Sequence, residues 1–417
     1  MIEEILRLKV TNFTPLLVGW YEPNIVDPIG LRPTELKGMW RWWARAFACG
    51  VLYDGGCNPS PHYIIDFVGR KLGLGYASVK LGDKSAMPSK YIIRVNETSE
   101  PPNFKKASIN KTDLKELQRI VLLLGGRPES LEPNNAEKVV LKRRGKGGVE
   151  RTLELYLPQS RFYTISLFST ESDSNKKAAA VLSFLSAIML MGIGKGGRRG
   201  LGSLDIIEIE KQPEINGKRI NELSLKVEDL VDKTYEHFRN LDSIKDPQCT
   251  KKSIDKNLPN FPCLSKNHED ITSIYHVEAR DESKKAFDVF KDLHNLFNLS
   301  MRSRERNFPK ICSNLKEYDW FLGIPRKGKY KEEKEGGKSE EWRRPSPVIL
   351  SAHDNKIFGN GAFLTVLASA DWPDIMINGK QIDSQQIRDA KKTFENCLKA
   401  YCSTKYEITR IWPRRLK

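Results

Sequence analysis

Apolar and polar residues alternate over residues 5–13, ILRLKVTNF, and a period of two predicts a strand. The period then changes. In TELKGMWRWWARAFAC, residues 34–49, the side chains of Leu36, Trp40, Trp43 and Phe47 fall on one stripe at about 100° per residue, as on a helix with one face in a core. Thr34, just after Pro33, is the expected N-cap. Further along, YIIDFV and YIIRV read as strands, and KTDLKELQRIVLLLGG as a helix stopped by Gly125 and Gly126. RFYTISLF, residues 161–168, predicts a strand, and KKAAAVLSFLSAIMLM, residues 176–191, a buried helix. SLDIIEIE reads as the strand after it.

The second half repeats this order. A polar stretch over residues 211–270 reads as helix and linker. Then come a strand in SIYHVEA, a helix in ESKKAFDVFKDLHNLFNLSMRS, and strands in DWFLGIP, PVILSAH and FLTVLASA, with a helix over residues 383–402. Strand–helix–strand–strand–helix in both halves predicts an α+β fold of two ferredoxin-like (RRM-like) modules in tandem, residues 1–210 and 211–417. The second carries a charged insertion, RKGKYKEEKEGGKSEEWRR, residues 326–344, which reads as a loop.

Charge adds a partner to this picture. Lys and Arg total 69 against 53 Asp and Glu, a net charge of +16. Residues 1–210 hold 30 basic and 22 acidic residues, and residues 211–417 hold 39 and 31, so each half is +8. An excess spread this evenly points to a polyanionic partner. On the first predicted helix Lys37, Arg41 and Arg45 form a second stripe at i, i+4, i+8, away from the core stripe. Trp42 lies on neither stripe and has two readings: covered by another loop of its domain, or exposed beside Arg45 as a stacking surface. KVVLKRRGKGGVER, residues 138–151, carries six basic residues and one acid. It reads as a charged hairpin or loop, and Lys142, Arg143 and Arg144 there are either a solvated turn or phosphate contacts.

Several classes drop out. No run reaches the roughly 18 apolar residues of a membrane span, and the N-terminus lacks the pattern of a signal peptide, which predicts a soluble, cytoplasmic protein without a membrane partner. Seven cysteines, an odd number at irregular spacing without a C-x-x-C pair, predict neither zinc nor a disulfide framework, but buried thiols in a reducing compartment. No cofactor or metal is expected.

GIGKGGRRGLGSL, Gly192 to Leu204, stands between a predicted helix and a predicted strand, with six glycines in its first eleven residues. Nucleotide-binding loops run the other way, from a strand into a helix whose N-terminal amides face the phosphates. GKG also lacks the Ser or Thr that would hold magnesium, so ATP and GTP are excluded. What is left is bare backbone, at Gly194, Gly196 and Gly197 especially, with the cations Lys195, Arg198 and Arg199. The expected role is a grip on an RNA backbone, the alternative a glycine-rich surface corner.

LRPTELKGMWRWWARA on the first helix, with GIGKGGRRGLGSL closing the first module, resembles the RAMP superfamily of CRISPR-associated RNA-binding proteins. Arg41-Trp42-Trp43 and the later RRPSPVIL are similar to the family of first subunits of type III-B Cmr effectors. The resemblance implies two RRM-like modules that cap a crRNA-guided ribonucleoprotein active against foreign RNA in antiviral defense. It implies contact with RNA near the crRNA 3′ end and the target strand, and with other Cmr subunits. The second half departs from the superfamily pattern, since CSTKYEITRIWPRRLK holds no glycine cluster. Catalysis needs an acid and a base. The six histidines, at 62, 237, 268, 276, 294 and 353, form no evident pair, and His294 reads equally as core or catalyst. Asp27, in VDP, reads as a turn residue. The expectation is therefore a binding subunit, with a RAMP-type endoribonuclease and a purely structural assembly subunit as alternatives.

Overall fold

The first strand, β1 (Glu3–Asn12), lies between two partners, because its alternate side chains Leu6, Leu8 and Val10 are all fully buried. It leads into α1 (Pro33–Asp54), and then β2 (Tyr91–Thr98) and α2 (Gln118–Leu124). A small antiparallel sheet of β3 (Ser130–Pro133), β4 (Lys138–Arg144) and β5 (Glu150–Tyr156) precedes β6 (Phe162–Ser169), α3 (Ser174–Leu190) and β7 (Leu204–Lys211). After α4 (Val227–Arg239) come β8 (Thr272–Ala279), α5 (Ala286–Asn298), β9 (Val348–Asn355), β10 (Gly359–Leu367), α6 (Ser384–Cys402) and β11 (Tyr406–Trp412). The computed structural model describes residues 2–19, 21–22, 24–76, 86–104, 106, 112–145, 148–212, 214–215, 218–219, 226–241, 244, 257–281, 285–298, 310–323, 331–333, 339–341, 346–355, 357, 359–370, 376–377 and 380–414.

The result is a mixed α/β fold built on antiparallel sheets. One four-stranded sheet has the order β2-β6-β1-β7, and the other has the order β9-β10-β8-β11. Each first strand thus sits inside its sheet, and the last strand of each set adds beside it. Helix α3 is buried along nearly its whole length, with Asp173 as N-cap accepting the Asn175 and Lys176 amides. Helix α6 begins with a capping box between Asp383 and Gln386. No helix among the described residues is long and apolar enough to cross a membrane. Most of the charged insertion, residues 326–344, lies outside the described residues, as does the RRP of RRPSPVIL.

The two sheets meet at β7 and β9. The His353 ring places Nδ1 3.0 Å from an Asp205 carboxylate oxygen and Nε2 2.8 Å from the Met189 carbonyl. The Ser351 hydroxyl donates to the same carbonyl, and the Ala352 amide donates to the Ser203 hydroxyl. Burial pushes the Asp205 carboxyl up from its ordinary range, against the pull of His353.

Five sequence expectations need correction. YIIDFV is not a strand: Ser60 accepts the Tyr63 amide and Pro61 opens a short helix, Pro61–Asp66, so a start signal outweighs two β-branched residues. DWFLGIP is not a strand either. Trp320, Phe321 and Leu322 end a 3₁₀ segment, Lys310–Leu322, and Phe321 packs on Phe394 of α6. A short apolar run carries no period to separate the two structures. The helix expected up to Gly125 is broken at Leu117, whose backbone is extended, although Gly125 does form the left-handed C-cap. Arg32, not Thr34, is the N-cap of α1, with Pro33 in the first turn. Finally, Cys49 is bonded to Cys263 and Cys312 to Cys397; Cys57 is disulfide-bonded too, and Cys402 is a buried thiol. Sequence spacing could not reveal these pairs, because each joins distant parts of the chain that only the fold brings together.

Candidate nucleic-acid interface

The glycine loop leaves α3 at Leu190 and folds on itself before entering β7. The Gly192 amide donates to the Gly197 carbonyl and that of Ile193 to Gly202; Lys195 donates to Leu17, Arg199 to Gly196, Gly200 to Gly197 and Gly202 to Pro15. These amides are spent inside the protein, not offered to a strand. Gly194 has φ +81°, and a Cβ there would collide with the Leu17 carbonyl. One at Gly197 would collide with the Gly192 carbonyl. At Gly194 and Gly197 the missing side chain thus serves close approach of the chain to itself.

The loop cations divide. Lys195 is partly exposed, and burial lowers its pKa. Arg198 turns toward α1, its guanidinium 4.6 Å from the centre of the Trp42 ring, and donates to the Ser346 carbonyl at 3.1 Å. Arg199 turns into the junction between the sheets. Its side chain donates to the Leu322 carbonyl, and its backbone bridges to Leu350. Burial, with Arg119 and Arg198 nearby, pushes its pKa down to about 9.

Helix α1 presents the second stripe as predicted. Leu36, Trp40, Trp43 and Phe47 are fully buried on one side. On the other, the Lys37 ammonium donates to the Tyr91 carbonyl at 2.7 Å, and Arg41 donates from Nε and Nη2 to the Leu74 carbonyl. Arg45 has a buried Nε without a partner. Among the described residues no carboxylate pairs with any of the three. Burial, then the Arg41 charge, lowers Lys37 to about 8; burial lowers Arg41, and burial plus Arg41 lowers Arg45. In all three the main cause is burial, which penalises the charged form. Trp42 is neither of its two predicted extremes. It is half-buried, edge-on to Trp43 at 5.1 Å, with Arg198 over its face. The Trp42–Arg198 stack joins α1 to the glycine loop, an adjacency the sequence could not establish.

The 138–151 segment forms the predicted hairpin, β4 with β5, but it is not an open cationic arm. Lys142 pairs with Glu132 at 2.6 Å, and Arg143 donates to the Gly125 carbonyl. Only Arg144 of the three is exposed.

The two candidate catalysts are engaged. Asp27 is fully buried, accepts the Ile29 amide at 2.9 Å and pairs with Arg32, as a turn residue would. His294 is core: Nδ1 faces the Arg199 carbonyl at 2.7 Å while Nε2 accepts the Arg119 amide, and burial holds its pKa at about 3. With Asn295, which accepts the Gln118 amide, it caps the N-terminus of α2 from α5. Neither this bridge nor Arg119 had a signal in the sequence. Among the described residues no cluster of His, Cys, Asp and Glu is arranged to hold a metal.

Residues 10–205 match the RAMP superfamily, and that segment contains both α1 and the glycine loop. Among solved structures, a chain of the type III-B Cmr-beta complex bound to cognate target RNA is 15% identical, over 95% of this chain and 100% of that one, with a TM-score of 0.51. Cmr1 from Pyrococcus furiosus, in its apo form, is 14% identical over 99% of both chains, with a TM-score of 0.49. At 15% identity the likeness to the Cmr-beta chain is one of fold. No curated protein matches the sequence.

Proposed function

We propose that this chain is a non-catalytic RNA-binding subunit that caps a crRNA-guided type III-B CRISPR effector complex, contacting RNA near the crRNA 3′ end and the target strand. Its neighbours would be other Cmr subunits. The reading takes residues 1–210 and 211–417 as two ferredoxin-like modules. The strand orders β2-β6-β1-β7 and β9-β10-β8-β11, each with the second strand at one edge and the last at the other, support it. The RAMP match over residues 10–205 supports the superfamily's role for the first module. So does the likeness in fold to a chain of a complex bound to target RNA.

The observation that carries the reading is the α1 surface. Lys37 and Arg41 reach only carbonyls, Arg45 has a buried Nε without a partner, and Trp42 under Arg198 continues the same face. Phosphates supply the charge this surface lacks, and such contacts position a strand without reading its sequence. The Trp42–Arg198 pair offers an aromatic and a guanidinium plane on which a base can stack. Cleavage has weak support, because Asp27 is held by Arg32 and His294 is buried and neutral. The test is a titration of the purified chain with single-stranded RNA at several salt concentrations, followed by analysis of the RNA. The reading expects salt-sensitive binding of unrelated sequences and intact RNA. Absence of binding, or cleavage abolished by Asp27→Ala, would refute it.

A further inference from the structure

β7 is an edge strand of one sheet and β9 an edge strand of the other. Where they meet, side chains on one strand take up backbone amides of the other. The hydroxyl of Ser203, just before β7, accepts the Ala352 amide, and Asp205 Oδ2 accepts the Asp354 amide. Between these two contacts lies the His353 ring, fully buried. Its Nδ1 is 3.0 Å from Asp205 Oδ1, and its Nε2 is 2.8 Å from the Met189 carbonyl in the last turn of α3.

A neutral imidazole has one N–H and one lone pair, whereas both ring nitrogens here face oxygen. Whichever nitrogen carried the single proton, the other would set its lone pair against an acceptor, out of reach of water. One more proton, on the ring or on the carboxyl, turns both contacts into hydrogen bonds. The surroundings favour holding it. The only other charge that reaches Asp205 is the Asp354 carboxylate, and burial, the largest influence on Asp205, pushes its pKa up. The last turn of α3 brings a carbonyl and no charged side chain. β10 brings the Phe363 ring, on whose face His276 of β8 stacks, and β1 sets Thr11 opposite Asp205.

We infer that Asp205 and His353 share one proton that the unfolded chain releases at neutral pH, and that this proton latches the two sheets together. The latch sits at both feet of the glycine loop. Met189 stands three residues before Gly192, and Ser203 and Asp205 stand at the loop's other end. Unfolded His and Asp side chains lose their protons near pH 6.5 and 3.9. The folded pair keeps its proton above pH 6.5, so its contribution to stability is complete below that pH and is lost as pH rises. The seam between the sheets is thus closed in acid and loosens in alkali.

The test is denaturant unfolding of the full chain between pH 6.5 and 8, for wild type, Asp205→Asn and His353→Gln. Both variants keep the shape of the site and lose the shared proton. Over that window the wild-type unfolding constant should rise roughly tenfold relative to that of either variant. A hydrogen bond without the extra proton would change stability equally at every pH. The same pH dependence in all three proteins therefore overturns the latch, however much the variants are destabilised.

Should neither variant fold, the wild-type profile decides alone. His237 and His294 have pKa values lowered by burial, so they make the chain more stable, not less, as pH rises through this window. A net fall in wild-type stability from pH 6.5 to 8 then supports the shared proton, and a flat or rising profile overturns it.

Discussion

Adjacent tryptophans on α1 should respond in opposite ways to removal. Trp43 is fully buried, and an indole in that position covers roughly 150–250 Å² of surface, worth about 4–6 kcal/mol at about 25 cal/mol/Å². Observed costs of removing a core tryptophan run to about 3–5 kcal/mol, so Trp43→Ala should lose about 4 kcal/mol of stability. Trp42 is half-buried and contributes its edge-on contact with Trp43 and its face to Arg198. Those contacts are worth about 1 kcal/mol each, so Trp42→Ala should lose about 2 kcal/mol. The binding effects reverse the order: Trp42→Ala should weaken RNA binding by about 1–3 kcal/mol if a base stacks there, whereas folded Trp43→Ala should bind nearly as wild type. Denaturant unfolding gives the first pair of numbers and RNA titration the second. Equal stability losses, or unaltered RNA binding by Trp42→Ala, would refute this account of α1.

Gly197→Ala should cost about 2–3 kcal/mol, because its Cβ meets the Gly192 carbonyl, while Gly38→Ala, with nothing within 4 Å, should stabilise α1 by about 0.5–1 kcal/mol; thermal melts read both. His294 is held at about 3 when folded against an ordinary 6.5, so the unfolded chain takes up a proton first. Stability should therefore fall as pH drops from 6.5 toward 3, and His294→Gln should flatten that fall in denaturant melts. Lys37 is lowered to about 8 from 10.5, so its contribution to stability rises with pH across that window, because the unfolded chain holds the proton longer. RNA binding should move the other way, losing about 0.7 from its salt slope between pH 7 and 9, a loss that Lys37→Arg prevents.

Periodicity made the sheets and helices legible wherever a segment was long. The α1 stripe of Leu36, Trp40, Trp43 and Phe47 is buried as the 3.6-residue spacing requires, and β1, β6 and β7 are strands where the sequence predicts them. Short segments misled. YIIDFV obeys Ser60 and Pro61 rather than its β-branched pair, and DWFLGIP packs its apolar run on α6 as a 3₁₀ turn.

The cation stripe of Lys37, Arg41 and Arg45 was readable because a helix fixes its direction. The directions of Arg198 and Arg199 were not, since a loop of glycines has no period. What the loop does is set by residues far away in sequence, Leu17, Leu322, Ser346 and Leu350, which meet it only in the folded chain. The disulfides failed for the same reason, as did the cap that His294 and Asn295 of α5 place on α2.

The central claim is that the α1 face neutralises RNA phosphates. Its most direct test is the salt dependence of single-stranded RNA binding by wild type and by the triple variant Lys37→Ala, Arg41→Ala, Arg45→Ala, after a melt has shown both to be folded. Each phosphate neutralised on a single strand contributes about 0.7 to the log–log slope, so the account predicts flattening by about 2 and a similar loss of affinity for unrelated sequences. A triple variant with the slope and affinity of the wild type would contradict it.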